Sequence, residues 1–196
     1  MLVIMKKDDK NKKLIIGFDM DGVILDNSKS KIKVAKKLSL TIKLIHTPSE
    51  ILKTLMTELA WRKFQYTLYD NHRFAFGVPL MRGIKGILSE LNKKKIPYFL
   101  ISRRKIPSVA IQILKKRDLW PRYFNKKNSF FVTKPEDKNE EAAKLGITHY
   151  IDDELKVINA LSKVPNKFLF DPFNVFEKAD HYIKIKSWSE FKKHIF

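Results

Sequence analysis

Apolar residues follow two patterns along most of the chain. Short continuous apolar runs predict β-strands that are buried on both faces. These runs are Leu14–Asp19, Ile96–Ile101, Ser129–Thr133, Ile147–Ile151 and Lys167–Phe170. Elsewhere apolar residues recur every three or four positions, as on one face of a helix. The predicted helices of this kind are Gly83–Lys94, Ser108–Lys116, Pro135–Leu145, Glu154–Leu161 and Trp188–Ile195. Strands that alternate with helices favour an α/β fold, a doubly wound parallel sheet with helices on both faces.

Residues 27–77 interrupt this alternation with helical patterns. A Thr-Pro-Ser-Glu stretch at residues 47–50 is typical of a helix start, and near-helical apolar spacing continues from it to about Tyr69. We therefore predict two domains. Residues 1–26 and 78–196 form the core domain, and residues 27–77 form a small helical insertion.

Acidic and hydroxyl side chains stand at the ends of several predicted strands. Asp19 and Asp21 end the first strand, Ser102 the second, and Asp152 and Asp153 the fourth. Ligands of open α/β sheets bind at the carboxyl ends of the strands, so we expect these side chains to share a site. The first two aspartates lie on one face of an extended segment, and their mutual repulsion favours a divalent cation between them.

The composition excludes several kinds of site. The chain has 196 residues, enough for a sizeable core, and no cysteine. A disulfide, a thiol nucleophile and a Cys-ligated metal are therefore excluded. No run approaches the roughly 20 apolar residues of a membrane span. Residues 1–5 are apolar but too few for a signal-peptide core, and charged residues follow them. We expect a soluble, cytoplasmic protein without a membrane partner.

The formal net charge is +19, and most of the basic residues are lysines. One interpretation is a basic surface that attracts phosphate-rich partners, including nucleic acid. The other is that lysines cover every solvated face, because most of them take the polar positions of amphipathic patterns. We favour the second interpretation, which leaves nucleic acid a less favoured partner. Under both, the electrostatic field favours anionic substrates.

Four segments resemble, in order, the four motifs of the haloacid dehalogenase-like (HAD) hydrolase superfamily. They are FDMDGV at residues 18–23, Ser102 at the end of YFLIS, Lys138, and residues 146–153 with their terminal Asp-Asp pair. The resemblance runs from about residue 14 to the C-terminus, and the insertion lies where the superfamily places its cap. It implies a Rossmann-like core and hydrolase activity. The aspartate at position 21 is similar to that of the phosphatases and phosphomutases and unlike the dehalogenating members.

The resemblance also implies a role for each motif residue. Asp19 would be the nucleophile that forms an aspartyl phosphate, and Asp21 would protonate the leaving oxygen and then deprotonate water. Ser102 would donate a hydrogen bond to the phosphoryl oxygens, and Lys138 would neutralise them. Asp19, Asp152 and the backbone carbonyl of Asp21 would hold Mg²⁺, which prefers hard oxygen ligands.

The catalytic lysine and the role of Asp153 each have an alternative assignment. Lys134 is a second candidate for the catalytic lysine, although the local pattern favours Lys138. Asp153 is expected either to bind the metal through water or to cap the helix that begins at Glu154.

The substrate is predicted only by class. Arg103 and Arg104 follow the second motif, and Arg103 is our candidate for substrate binding. As exposed loop residues, both arginines could equally have no role. Residues 170–174 and 187–191 resemble the tail of the 5'-(deoxy)nucleotidase branch of the superfamily. We expect a small phosphorylated substrate, with nucleoside monophosphates as candidates.

Three other functions remain compatible with the sequence. A polynucleotide end phosphatase would use the net charge, and a phosphomutase would use the same four motif groups. A non-catalytic binding module would keep the fold without turnover. The pattern does not predict the oligomeric state.

Overall fold

The computed structural model describes residues 13–196, and its centre is one sheet of six parallel strands. The strands are β1 (Ile16–Phe18), β2 (Tyr98–Ser102), β3 (Ser129–Phe131), β4 (His149–Asp152), β5 (Asn166–Phe170) and β6 (Ile183–Ile185). Their order across the sheet is β3-β2-β1-β4-β5-β6. Ile16 of β1 therefore pairs with Tyr98 on one side and with His149 on the other. The strand order reverses beside β1, which is where α/β sheets of this kind bind their ligands.

Helices flank the sheet, which confirms the predicted α/β fold. The helices are α1 (Ser28–Lys37), α2 (Ser49–Thr54), α3 (Glu58–Gln65), α4 (His72–Ala75), α5 (Ile84–Lys93), α6 (Pro107–Lys116), α7 (Pro135–Lys144), α8 (Leu155–Ala160) and α9 (Trp188–Ile195). Both faces of the sheet carry buried apolar residues. Successive strand residues point to opposite faces. Leu100 and Phe168 belong to one apolar cluster, whereas their neighbours Ile101 and Leu169 belong to another. This double burial is why the strands read as continuous apolar runs.

The insertion at residues 27–77 has an apolar cluster of its own. The buried members of this cap cluster are Val34, Ala35, Ile42, Leu52, Trp61, Phe64 and Leu68. The rings of Trp61 and Phe64 stack with their centroids 5.5 Å apart. The division into cap and core stays a proposal, to which this separate cluster gives physical support.

Two details differ from the sequence patterns. The predicted helix over residues 50–69 is broken after Thr54, because Thr57 accepts a hydrogen bond from Ala60 N (3.3 Å) and starts α3 as its N-cap. A π-helical turn then follows at Tyr66–Asp70. The sheet also has an unpredicted sixth strand, β6, which lies at its edge and alternates apolar residues with Lys184.

The remaining predictions about residues 1–12 fall outside the described residues. These are the short apolar start and most of the lysine-rich stretch that follows it. Among residues 13–196, no helix combines the length and the apolar character needed to cross a bilayer.

Candidate functional site

The site begins in the loop that follows β1. The backbone N–H of Asp19 donates to the carbonyl of Ile151 (3.0 Å), which ties this loop to β4. Gly22 has φ +80°, a conformation that costs little only for glycine. A Cβ atom on Gly22 would lie 2.1 Å from Oδ2 of Asp153. The glycine therefore allows the loop to approach the acidic end of β4 closely.

A buried lysine joins the ends of β1 and β4. Lys138 Nζ donates to Asp19 Oδ1 (2.6 Å) and to Asp152 Oδ2 (2.7 Å), and the three side chains are at most 8 % exposed. Lys138 reaches them from the first turn of α7. Lys134 stands just before α7, where its side chain is exposed and its backbone N–H donates to Asp137. The structure thus brings Lys138, and not Lys134, to the two aspartates.

Burial gives these groups unusual acid strengths. It raises the pKa of Asp19 to about 7, although the charge of Lys138 opposes the shift. Burial likewise raises the pKa of Asp152, against the charge of Lys138. Burial works against the charged form of Lys138, yet the neighbouring carboxylates Asp152 and Asp19 hold its pKa well above the usual value. One ammonium group therefore faces more negative charge than it can neutralise.

A divalent cation fits this excess of negative charge. Carboxylate oxygens of Asp19, Asp152 and Asp153 lie within 4.8 Å of one another, a spacing that one ion could bridge. Hard carboxylate oxygens are the ligands that Mg²⁺ prefers. Asp152 Oδ1 accepts a hydrogen bond from the N–H of Glu154 (3.0 Å), the residue before α8. The two alternatives for Asp153 stay predictions. The donor set is compatible with the predicted metal.

Asp21 lies beside this cluster but is held by different partners. Arg104 donates to both of its oxygens, from Nε to Oδ2 (2.6 Å) and from Nη2 to Oδ1 (2.7 Å). Asn27 Nδ2 also donates to Oδ1 (2.7 Å). The third nitrogen of Arg104, Nη1, donates to the backbone carbonyl of Tyr69 (2.6 Å), whose ring lies 4.8 Å from the guanidinium carbon. The sequence predicts Arg104 to be an exposed loop residue, and this prediction is wrong, because Arg104 is only 4 % exposed.

Ser102 and Arg103 complete the core side of the site. Ser102 is the last residue of β2, is buried, and lines the same cavity as Asp19. Arg103 also lines the cavity, but its Nη2 is paired with Glu154. Any contact of Arg103 with a substrate must therefore compete with this ion pair. The predicted roles of both residues stay predictions.

A cavity of about 600 Å³ lies between the insertion and the ends of the strands. Its volume is within the range of sites for small organic ligands. The insertion contributes Ser49, Arg62, Gln65, Tyr66, Tyr69 and Asp70 to its lining. The core contributes Asp19, Asp21, Ser102, Arg103, Arg104, Lys105, Val132, Thr133, Lys138, Asp152, Asp153 and Glu154. The cavity thus gives a ligand access to the predicted nucleophile.

No protein-family model and no curated protein matches the sequence. Solved structures do match the fold. A haloacid dehalogenase-like protein of unknown function from Agrobacterium tumefaciens is 17% identical, with a TM-score of 0.64 over 93% of this chain and 97% of that one. A predicted phosphatase from Clostridium acetobutylicum is 19% identical, with a TM-score of 0.62 over 93% and 98%.

A HAD family hydrolase from Deinococcus radiodurans, solved with bound phosphate and sodium, is 14% identical. Its TM-score is 0.61, over 94% of this chain and 95% of that one. These structures match nearly the whole chain, including the insertion, and share its α/β architecture. The 5'-(deoxy)nucleotidase branch stays a prediction. The chain has the fold of the haloacid dehalogenase-like hydrolases.

Proposed function

We propose that the protein is a Mg²⁺-dependent phosphomonoester hydrolase of the HAD superfamily. The observation that carries this proposal is the buried Asp19 carboxylate at the cavity, held by Lys138 and next to Asp152 and Asp153. A carboxylate that is fixed, desolvated and open to a cavity is suited to attack a phosphorus atom. The bound phosphate in the Deinococcus structure of the same fold supports a phosphorylated ligand.

The proposed reaction has two steps. Asp19 attacks phosphorus to form an aspartyl phosphate while the bond to the leaving oxygen breaks, and Asp21 gives that oxygen a proton. Asp21 then takes a proton from water, which attacks phosphorus, releases phosphate and restores Asp19. Lys138 and Ser102 stabilise the negative phosphoryl oxygens in both steps.

Bound Mg²⁺ would supply the positive charge that lets a phosphate dianion approach a carboxylate nucleophile. Asp19, Asp152 and the backbone carbonyl of Asp21 are the proposed ligands, and Asp153 is a candidate for a further contact. The spacing of the three carboxylates supports this assignment.

Within the phosphomonoesters, we propose nucleoside monophosphates as the substrate class. Two features of the lining support it. Tyr66 lines the cavity with 63% of its surface exposed, so its ring is free to stack on a base. Gln65 beside it carries an amide that can both donate and accept hydrogen bonds at a base edge. Arg103 is the proposed contact for the phosphate, once it is released from Glu154.

The test is phosphate release from nucleotides, sugar phosphates and aryl phosphates, with Mg²⁺ and with EDTA, comparing wild type with Asp19→Asn. We expect metal-dependent turnover that falls to background in the variant, because an amide is a poor nucleophile. Activity that survives Asp19→Asn would remove the nucleophile assignment. Oligonucleotides with a terminal phosphate belong in the panel, since turnover on them alone would favour the end-phosphatase alternative.

The two lysines offer a matched comparison in the same assay. Lys138→Met removes the charge that faces Asp19, and we expect activity to fall by about 100-fold or more. Lys134→Met changes an exposed side chain, and we expect activity within about twofold of wild type. The opposite result would transfer the catalytic role to Lys134.

A further inference from the structure

Arg104 holds Tyr69 at two points in the wall of the cavity. Its Nη1 donates to the Tyr69 backbone carbonyl (2.6 Å), and its guanidinium carbon lies 4.8 Å from the centre of the Tyr69 ring. Phenylalanine would make both contacts equally well, because neither of them uses the hydroxyl group. These contacts therefore account for the backbone and the ring of Tyr69 but not for its hydroxyl.

The Tyr69 hydroxyl is open to the cavity. Within residues 13–196 it has no hydrogen-bond partner, and it is not one of the buried polar atoms that lack a partner. The hydroxyl of Tyr150, by comparison, donates to the backbone carbonyl of Ile101 (3.0 Å). A molecule in the cavity can thus accept a hydrogen bond from Tyr69 without displacing a described protein partner.

The same guanidinium brings Tyr69 next to Asp21. Arg104 donates to both Asp21 oxygens, from Nε (2.6 Å) and from Nη2 (2.7 Å), while its guanidinium lies over the Tyr69 ring. Tyr69 and Asp21 also line the same cavity. A substrate group that is bound beside Asp21 is therefore within reach of the Tyr69 side chain.

The surroundings of Tyr69 keep its hydroxyl protonated. Burial raises the pKa of Tyr69 well above its usual value of 10.0. The negative charges of Asp21, Asp153 and Glu154 act in the same direction. The phenol is thus a hydrogen-bond donor throughout the neutral pH range and does not act as a base. Such a donor stabilises a negative charge that develops on an oxygen atom within its reach.

In the proposed reaction, negative charge develops on the oxygen of the departing group. The bond between phosphorus and this oxygen breaks while Asp19 attacks, and Asp21 lies beside the oxygen as its proton donor. Asp21 already accepts hydrogen bonds from Arg104 and Asn27. The Tyr69 hydroxyl is the neighbouring donor that has no partner among the described residues. It is therefore available for the departing oxygen.

We propose that Tyr69 is a catalytic residue whose hydroxyl donates a hydrogen bond to the leaving-group oxygen while the phosphoryl group passes to Asp19. This role rests on the proposed phosphatase function. The electrons of the broken bond pass to the oxygen, which receives its proton from Asp21, and Tyr69 keeps its own proton. Tyr69 thus assists formation of the aspartyl phosphate. Its hydrolysis releases no alcohol, so that step does not depend on the hydroxyl.

The test removes only the hydroxyl, with Tyr69→Phe. Phenylalanine keeps the ring against Arg104, so we expect the variant to fold as the wild type does, which thermal unfolding checks. The phenolate of phenyl phosphate keeps its charge largely on oxygen, whereas the nitrophenolate of p-nitrophenyl phosphate spreads it into the ring. We expect kcat/KM to fall by about 30-fold with phenyl phosphate, the scale of a lost hydrogen bond to a charged group, and by less than about threefold with p-nitrophenyl phosphate.

The ratio between the two substrates separates the outcomes. Equal losses would overturn the contact with the leaving oxygen, because a structural defect or a contact with the phosphoryl group affects both substrates alike. Unchanged kcat/KM with both would also overturn it, and so would higher KM values without a change in kcat, which indicate a contact in the ground state. Tyr123→Phe removes the hydroxyl of a buried tyrosine outside the cavity and is the matched control, with both values within about twofold of wild type.

Single-turnover kinetics gives a second readout. In Tyr69→Phe we expect slower release of phenol from phenyl phosphate in the first turnover, with an unchanged rate of hydrolysis of the phosphorylated protein. Slower hydrolysis of that intermediate would contradict the assignment to the leaving oxygen. Failure of the phosphatase function itself would appear separately, as wild-type inactivity or as insensitivity to Asp19→Asn.

Discussion

Asp19 occupies a position where a negative charge is unfavourable in the metal-free protein. Burial raises its pKa from 3.8 to about 7, in spite of the hydrogen bond from Lys138. Asp152 and Asp153 lie close by and repel the same charge. A cation that binds between these carboxylates would remove the repulsion. The acid strength of one residue thus connects metal binding to the stability of the fold.

This connection predicts how Mg²⁺ stabilises the protein at different pH. Between about pH 4 and pH 7, folded Asp19 binds more protons than unfolded Asp19, so its contribution to stability is present at low pH and lost as pH rises. Mg²⁺ competes with those protons for the carboxylate. We expect Mg²⁺ to raise the melting temperature little at about pH 5 and by several degrees at about pH 8. Thermal unfolding with MgCl₂, and with NaCl at equal ionic strength, measures this difference. An equal shift at both pH values would contradict it.

The structure brings the main predicted site residues together for a simple reason. Asp19, Ser102 and Asp152 stand at the ends of predicted strands, and parallel strands bring those ends to one edge. Arg104 escaped prediction because its partners are distant in sequence. Nothing near residue 104 indicates that its side chain would be buried against Asp21 and Tyr69.

At the scale of the structural elements, the loop between β1 and α1 has little room at Gly22. Gly22 combines a positive φ with close contact to Asp153, so a side chain there would meet both backbone strain and a collision. Gly86 in α5 is the opposite case, since no atom beyond its chain neighbours and its own helix backbone lies within 4 Å of the place of its missing Cβ. The two glycines form a natural comparison.

We expect opposite effects when each glycine becomes alanine. Gly22→Ala should lower the free energy of unfolding by about 1–3 kcal/mol and weaken Mg²⁺ binding, because the loop or Asp153 must shift. Gly86→Ala should raise it by roughly 0.5–1 kcal/mol, since alanine favours the helix. Denaturant unfolding gives both stabilities, and titration calorimetry gives the Mg²⁺ affinity. A Gly22→Ala protein with normal affinity would show that the loop has room to adjust.

The strands with clear apolar runs were predicted correctly from the sequence. The five apolar runs became β1 to β5, and for the inner strands β1, β2, β4 and β5 the run reflects burial on both faces. The edge strand β6 has three residues and only Ile185 is buried, so its pattern is too short to distinguish it from a loop. The helical spacing of apolar residues continues across the break after Thr54 and so does not reveal it. The break depends on the side chain of Thr57, which caps the start of α3.

At the scale of the whole molecule, a chain with a formal net charge of +19 carries an acidic site. A positive field attracts anionic substrates from a distance, and dissolved salt screens it. We expect kcat/KM for a phosphate ester to fall several-fold when ionic strength rises from about 0.02 M to about 0.3 M, with kcat nearly unchanged. Initial rates over a range of NaCl concentrations measure this effect. A constant kcat/KM would mean that the lysines act too diffusely to steer the substrate.

The separate apolar cluster of the insertion has one further consequence. Its seven buried members, between Val34 and Leu68, belong to neither of the two clusters that bury the sheet. Residues that line the cavity from this side, such as Gln65 and Tyr66, can therefore vary without disturbing the packing around Asp19. In evolutionary terms, such a chain can acquire a new substrate through mutations at positions such as Gln65 and Tyr66, while its descendants inherit the reaction chemistry unaltered.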